Sequence, residues 1–304
     1  MSAEGGIGED SSDHGLRTEL ARLRGDPDQP ADVSVVVPVN AANDLPRALQ
    51  LLADLAEYRG RHRVEIVLVI NNYPADNPPA EIERFRRMGV RVKAIPDARR
   101  AGEFIVMSAR AEGTRAAQAD ATIHFDADCK IADVNALIDW YTGVLHQGAG
   151  LAYTRTEYYE LENAISVKIR IALHYLARWI KRKVLNIPTA RGSNFAVSRD
   201  LFLRLYDAGQ LSVELQLGPA AKLAGAGIAY SRKPELRVFT SGRRFHRGWR
   251  KIVRYFAYRL DYNLHAIPTR RHPVLRTTWD GFDLETQRRL DAAQYLQEER
   301  ASQR

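Results

Sequence analysis

Two apolar runs dominate the first quarter of the chain. VSVVVPV (33–39) and RVEIVLVI (63–70) are rich in β-branched residues and of strand length, the pattern expected of strands covered on both faces of a parallel sheet. Between them Leu45, Leu49, Leu52 and Leu55 recur at helical spacing. A Pro-rich loop (74–79), a helix (80–88), a strand (90–95), a helix (103–118), a strand (121–126) and a helix (133–146) continue the alternation. Strands and helices linked by short connections predict a doubly wound α/β sheet with right-handed crossovers.

The alternation loosens after Gly150. LAYTRTEYY (151–159) reads as one strand, 160–186 as a long basic helix, and RGSNFAVS (191–198) as a short strand after a Gly-Ser turn. Helices follow at 199–207 and 214–224, two short strands at 226–240, a basic aromatic helix at 246–265, a loop at 275–282 and a polar helix at 284–300. Residues 1–31 are rich in Gly, Ser, Asp and Pro and read as a flexible leader with a short helix over 16–24. The expected organisation is a leader (1–31), an α/β domain (32–245) and a C-terminal basic helical region (246–304). There is no internal repeat and no heptad array.

Charge adds a second layer to this picture. The net charge is +8, and it is concentrated: Asn163 to Arg199 holds eight Lys/Arg and no Asp/Glu, as does Leu236 to Leu260. Acid-free blocks of this kind imply an anionic partner such as phosphates, a membrane surface or nucleic acid, against the alternative of a solvated basic surface. In the helix at 160–186, Ile165, Ile169, Leu173, Leu176, Ile180 and Val184 share one face. Such a face either packs on the sheet or lies in an anionic membrane interface. The helix at 249–262 repeats the style with Trp249, Ile252, Val253, Phe256 and Leu260. The single cysteine, Cys129, excludes an internal disulfide framework. Residues 1–15 carry no secretory-signal pattern, and no apolar run reaches the ~18 residues of a membrane span. The expected location is cytoplasmic, with peripheral attachment to the inner face of the membrane.

The densest chemistry is DATIHFDADCK (120–130), where an apolar strand delivers Asp126 and Asp128 to its end. Residues two apart on an extended segment share a face, so both carboxylates can address one divalent cation and the phosphate it carries. In open α/β sheets, ligands bind at that end of the strands. The competing reading is that Asp128 or Asp133 caps the helix at 134–146.

In order along the chain, VSVVVPVN (33–40), VEIVLVINN (64–72), ARAEGTRAAQADATIHFDADC (109–129), RGSNFAVSRDLF (191–202) and VFTSGRR (238–244) resemble segments of the family 2 glycosyltransferases. The resemblance runs from about Val33 to about Trp249. It implies a GT-A type, Rossmann-like, mostly parallel sheet flanked by helices, here with a C-terminal helical extension. It implies a metal-dependent transferase moving a sugar from a UDP- or GDP-sugar to a carbohydrate or lipid-linked acceptor, with Mg²⁺ or Mn²⁺ as cofactor. Asp128 becomes the metal ligand, and Asp126 faces the donor and shares the metal; His246 is a candidate third ligand. Pro38, Asn40, Asn71 and Arg110 are expected at the nucleotide, Arg243 and Arg244 at the diphosphate, and Glu214 as the base of an inverting reaction.

Three departures limit the resemblance. Asn71-Asn72-Tyr73 stands where the family has an acidic pair, Glu112 where Asn is common, and Val213-Glu214 where a Glu-Asp pair supplies the base. The main alternatives are a catalytically inactive scaffold of the same fold and a basic nucleic-acid- or membrane-binding protein. No helix-turn-helix, zinc or RNP-type motif supports nucleic acid. A dinucleotide oxidoreductase is excluded because Asn40-Ala41-Ala42-Asn43 follows the first strand instead of a Gly-rich turn.

Overall fold

A computed structural model describes residues 11–26, 28–96, 105–212 and 214–242. In chain order the elements begin α1 (Ser11–Arg24), β1 (Val33–Asn40), α2 (Leu45–Ala56), β2 (Val64–Asn71), α3 (Glu81–Arg87) and β3 (Arg91–Ile95). Next come α4 (Ile105–Ala116), β4 (Ala121–Phe125), β5 (Lys130–Ile131), α5 (Val134–His146), β6 (Ala149–Thr154) and β7 (Thr156–Tyr159). They close with α6 (Ile165–Lys183), β8 (Asn194–Ser198), α7 (Arg199–Asp207), α8 (Leu217–Leu223), β9 (Gly227–Ser231) and β10 (Val238–Ser241). The expected helices at 246–265 and 284–300 lie outside the described residues.

Seven strands form one sheet in the order β3-β2-β1-β4-β8-β6-β9. All run the same way except β8, which is antiparallel to both β4 and β6. The sheet is therefore mixed but mostly parallel, and the continuous apolar runs at β1 and β2 are its buried centre. Alternate residues of β1 serve opposite layers. Val33, Val35, Val37 and Val39 pack with α1, α2, α3 and α5, whereas Val36 packs with Ala109 of α4. On that second face Gly113 brings α4 close, since a Cβ there would lie 2.4 Å from Val36 Cγ1 and 2.8 Å from Val69 Cγ2.

A second sheet of three short strands has the order β5-β10-β7. It corrects the expectation of one strand at 151–159: the chain leaves the large sheet at Arg155, so β6 pairs with β8 and β9 while β7 pairs with β10. The run reads as continuous because Thr154, Thr156 and Tyr158 are all buried, although against different sheets.

Two further expectations are corrected. Residues 11–24 do not belong to a loose leader; they form α1, whose Leu20 and Leu23 enter the main core. Arg22 of α1 donates to the carbonyls of Ala56 and Tyr58 at 3.0 and 2.7 Å, and Asp13 pairs with Arg84 at 2.6 Å. The helix at 160–186 is shorter, Ile165–Lys183, and of the two placements open to its apolar face, packing on the sheet is not the one adopted. Val167, Arg170, His174 and Arg178 point inward, while Ile165, Ile169, Leu173, Leu176, Ile180 and Val184 are all exposed. The inner face is polar because it covers polar groups: Arg191 donates to Tyr158 Oη and lies 2.6 Å from His174 Nε2. Among the described residues no helix is long and apolar enough to cross a membrane.

At the end of the sheet away from the strand C-termini, Glu65 is 1% exposed inside the β2 run. Its Oε2 accepts from Ser34 Oγ at 2.8 Å and from the Gln118 amide at 2.9 Å. Its Oε1 meets Arg91 Nε at 2.8 Å and Arg24 at 3.6 Å. One carboxylate thus joins α1, β1, β2, β3 and the α4–β4 connection. Glu65→Ala leaves the Ser34 hydroxyl and the Gln118 amide without this acceptor and removes the counter-charge of Arg91 and Arg24, which keep the Ala116 carbonyl and Gln118 Oε1, so an equilibrium denaturation curve is expected to show a loss of about 2 kcal/mol.

Candidate active site

The order β2-β1-β4 places the reversal of strand order between β1 and β4, where an open α/β sheet forms its ligand crevice. β1 and β4 pair only from Ser34↔Thr122 to Val36↔His124 and separate beyond, so Pro38, which has no N–H to donate, interrupts no β1–β4 bond. Pro38 itself is buried in the strand, and Asn71 is 3% exposed with its amide donating to the Val69 carbonyl. Neither presents the open nucleotide-facing surface the sequence suggested. Asn40, also expected at the nucleotide, and Asn72 are the half-buried residues at these two strand ends. Asn72 adopts φ 60° and donates to Asn40 Oδ1 at 3.0 Å. Because Asn40 Oδ1 also accepts from the Ala42 amide, what Asn40 can still offer a ligand is its side-chain N–H groups. The sequence signal for Asn72 was an Asn just past the end of an apolar strand, a residue type that tolerates positive φ.

Asp126 and Asp128 stand where β4 ends. They lie on a tight turn, not on extended chain, since the Cys129 amide bonds the Asp126 carbonyl at 3.1 Å. Ala127 and Cys129 point inward at 3% and 2% exposure, which leaves the two carboxylates on the partly open side. The helix-cap alternative belongs to Asp133, whose side chain accepts from the Ala136 amide. Asp128 Oδ1 accepts from Thr240 Oγ1 at 3.0 Å, and its carbonyl accepts from Tyr159 Oη at 2.8 Å. Both partners come from the small sheet, β10 and β7. Burial and the neighbouring Asp128 push the Tyr159 hydroxyl up to about 12, so it remains a donor.

Arg110 of α4 was expected at the nucleobase. It is instead fully buried, with Nη2 2.5 Å from Asp126 Oδ1 and 2.6 Å from the Gly192 carbonyl, and its guanidinium lies over the Phe195 ring at 5.4 Å. It therefore acts on the site through Asp126, whose side chain is one-third exposed.

The segment before β8 is fixed by its own carbonyls. Gly192 O accepts from Arg110 and Ser193 O from the Cys129 thiol at 3.1 Å. Burial, with Asp126 and Asp128 close by, raises the thiol well above its ordinary value and keeps it a donor. Buried Asn194 bonds Tyr141 and, at 2.5 Å, Thr154. Against this turn stands Glu214, at the start of a 3₁₀ turn (Glu214–Gln216) that leads into α8. A Cβ on Gly192 would lie 2.6 Å from Glu214 Oε1. Asp126, Arg110, Gly192 and Glu214 thus form one connected group drawn from four separate parts of the chain. Gly192, Thr240 and Tyr159 were not identified from sequence; only the Gly-Ser turn at 192–193 and the Thr-Ser-Gly at 240–242 hinted at two of them.

Arg243, Arg244 and His246 lie outside the described residues. Among the described residues no group of three His, Cys, Asp or Glu side chains converges to hold a metal. Asp126 and Asp128 carry hard oxygen atoms of the kind that Mg²⁺ and Mn²⁺ accept alongside phosphate and water oxygens, so their chemistry fits such an ion.

No protein-family profile matches this chain, and no curated protein sequence matches it. Solved structures do resemble it. A mannosyltransferase from Pyrobaculum calidifontis, in complex with GDP-Man and Mn²⁺, aligns with a TM-score of 0.51 at 17% identity, covering 82% of this chain and 73% of that one. Glucosyl-3-phosphoglycerate synthase from Mycobacterium tuberculosis, in complex with Mn²⁺, UDP-glucose and phosphoglyceric acid, aligns at 0.44 and 17% identity, covering 84% and 85%. S. aureus TarS in complex with UDP aligns at 0.47 and 14% identity, covering 69% and 60%. The likeness to the P. calidifontis enzyme is one of fold: the chain has the GT-A glycosyltransferase architecture.

Beneath the site, His124 is fully buried and stacked at 4.5 Å on Phe195 and 5.1 Å on Phe202. Burial, and then the Arg110 charge, lower it well below its ordinary 6.5, so it is neutral when folded. As pH falls below 6.5 the unfolded chain takes up a proton that the folded chain refuses, and stability falls with it. Denaturation midpoints measured between pH 7.5 and 5 are expected to decline, and the decline is expected to be shallower in His124→Gln.

Proposed function

We propose that this chain is a nucleotide-sugar-dependent glycosyltransferase that uses Mg²⁺ or Mn²⁺ and a UDP- or GDP-sugar, and that it transfers with inversion. The observation that carries the reading is the convergence of Asp126, at the end of β4, and Glu214, far downstream, through Arg110 and Gly192 beside the crevice. The similar P. calidifontis structure, which holds Mn²⁺ with GDP-Man, supports the metal class and a nucleotide-sugar donor.

In this reading Asp128 would hold the divalent ion, and Asp126, oriented by Arg110, faces the donor and would share the ion. The ion, when bound, supplies a Lewis acid for the charge that builds on the departing diphosphate. Asn40 and Asn72 hydrogen-bond the base edge in place of the acidic pair of related sequences. Arg243 and Arg244 follow the Thr240-Ser241-Gly242 turn and add positive charge toward the diphosphate, and His246 is the third protein ligand. Glu214 accepts the proton of the acceptor hydroxyl as its oxygen attacks the anomeric carbon, while the bond from that carbon to the diphosphate oxygen breaks on the opposite face. A single displacement of this kind inverts the anomeric centre.

Thermal denaturation with UDP, GDP, CDP and TDP, with and without Mn²⁺, tests the donor half. Ligand at about a hundredfold excess over Kd adds about 2.7 kcal/mol to the folded state. One of UDP and GDP is expected to raise Tm only with the metal, and Asp128→Ala to lose the rise; no shift with any nucleotide rejects the reading. Glu214→Gln is expected to lower kcat by about 10²–10⁴-fold with donor binding intact. Gly192→Ala would bring a Cβ within 2.6–2.8 Å of Glu214 Oε1, Cδ and Cγ, so the Glu214 side chain must move as a whole, and kcat is expected to fall about a hundredfold while the nucleotide-induced rise in Tm is kept.

A further inference from the structure

We infer that the outward face of α6 docks on an anionic lipid bilayer, with the helix lying in the plane of the membrane surface. The inference does not depend on the donor chemistry. It starts from the apolar face of this helix. A 19-residue helix spans about 28 Å, and along that length its apolar stripe faces away from the protein. Ile165 is 76% exposed, Ile169, Leu173 and Leu176 about half, and Val184 63%; Trp179 and Leu185 lie exposed beside them. Scattered exposed leucines are ordinary, but a contiguous stripe along five turns is not.

The helix cannot hide this stripe by rolling over. Its inner face is held by His174 against Tyr158 and Arg191, and by Arg178 Nη2 3.5 Å from the Thr189 carbonyl, with Val167 buried beside Tyr158. Turning the leucines inward would place them on these polar groups and expose Val167. Among the described residues nothing covers the stripe.

Charge selects the occupant. The chain from Asn163 to Arg199 has no acidic residue, and Lys168 and Lys183 are exposed beside the apolar positions. At the C-terminal end of α6 a cavity of about 670 Å³ is lined by Arg182, Lys183, Lys222 and Arg232 and by no Asp or Glu. An apolar stripe flanked by cations and ending at a cationic cavity matches acyl chains beneath phosphate headgroups, with Trp179 suited to the boundary between them. A second copy is disfavoured, because a twofold contact through this face would set one basic rim against the other.

The test is flotation of the full chain with vesicles of phosphatidylcholine alone and of phosphatidylcholine with about one-third phosphatidylglycerol, at low and raised salt. The wild type is expected to float with the anionic vesicles, to lose most binding in high salt, and to float poorly with the neutral ones. Leu173→Glu/Leu176→Glu is expected to reduce flotation at least about tenfold while Tm stays within a degree or two of wild type. Vesicle addition is expected to blue-shift tryptophan emission, with the shift largely lost in Trp179→Phe. Failure of the wild type to float, or equal flotation of the double variant, overturns the inference. A wild-type dimer that the double variant converts to monomer gives the face to a second copy. A large fall in the variant's Tm gives it to another segment of this chain, and either result also overturns the inference. Nucleotide binding and vesicle binding are read separately, so either can fail without the other.

Discussion

The arrangement at the crevice depends on one buried cation. A guanidinium removed from water costs several kcal/mol unless its charge is met, and Arg110 is fully buried between α4 and the sheet. Its charge is answered by Asp126 and by a backbone carbonyl at Gly192, so the end of β4 and the start of the β8 segment must meet where Arg110 points. Among the described residues Nε and Nη1 of Arg110 have no hydrogen-bond partner, which makes the Asp126 contact harder to give up. Burial, and then the same charge, keep the neighbouring His124 neutral. At Gly192 the absence of a side chain leaves room for the Glu214 carboxylate beside the turn that Arg110 holds. A fully buried cation thereby fixes Asp126 directly and the Gly192 turn beside which Glu214 stands.

Around that centre the two sheets divide the task. The large sheet is a rigid floor whose strands separate just below the crevice, and its buried β-branched core tolerates little displacement. The small sheet adds the hydroxyls of Thr240 and Tyr159, which pin Asp128 from the other side. Because β5 follows Asp128 directly and pairs with β10, the Asp126–Cys129 turn is tied into the small sheet as soon as it leaves the large one. Both aspartates therefore stand on a loop held at each end by regular structure, the support that a preorganised site requires.

Helix α6 and the Asn71-Asn72 pair show why some site features were not legible beforehand. Periodicity finds the two faces of a helix but does not say which is inside, and here the polar face is inside because the surface under it is polar. At the end of β2 a one-residue difference exchanges a buried amide, Asn71, for an available one, Asn72, since successive strand residues point to opposite sides and the chain turns at φ 60°. Glu65 is a comparable case: a lone acid in an apolar run reads as an interruption until the arginines of α1 and β3 arrive beside it.

The sequence by itself determined the elements and their alternation, the buried centre of the sheet, and the delivery of two aspartates to a strand end, because each follows from patterns within a few residues. Only the tertiary structure decided that Arg110 works behind Asp126, that Glu214 stands against Gly192, that 151–159 is shared between two sheets, and that α6 turns its leucines outward. Each of these is settled by neighbours remote in the chain, whose burial and charge outweigh local preference.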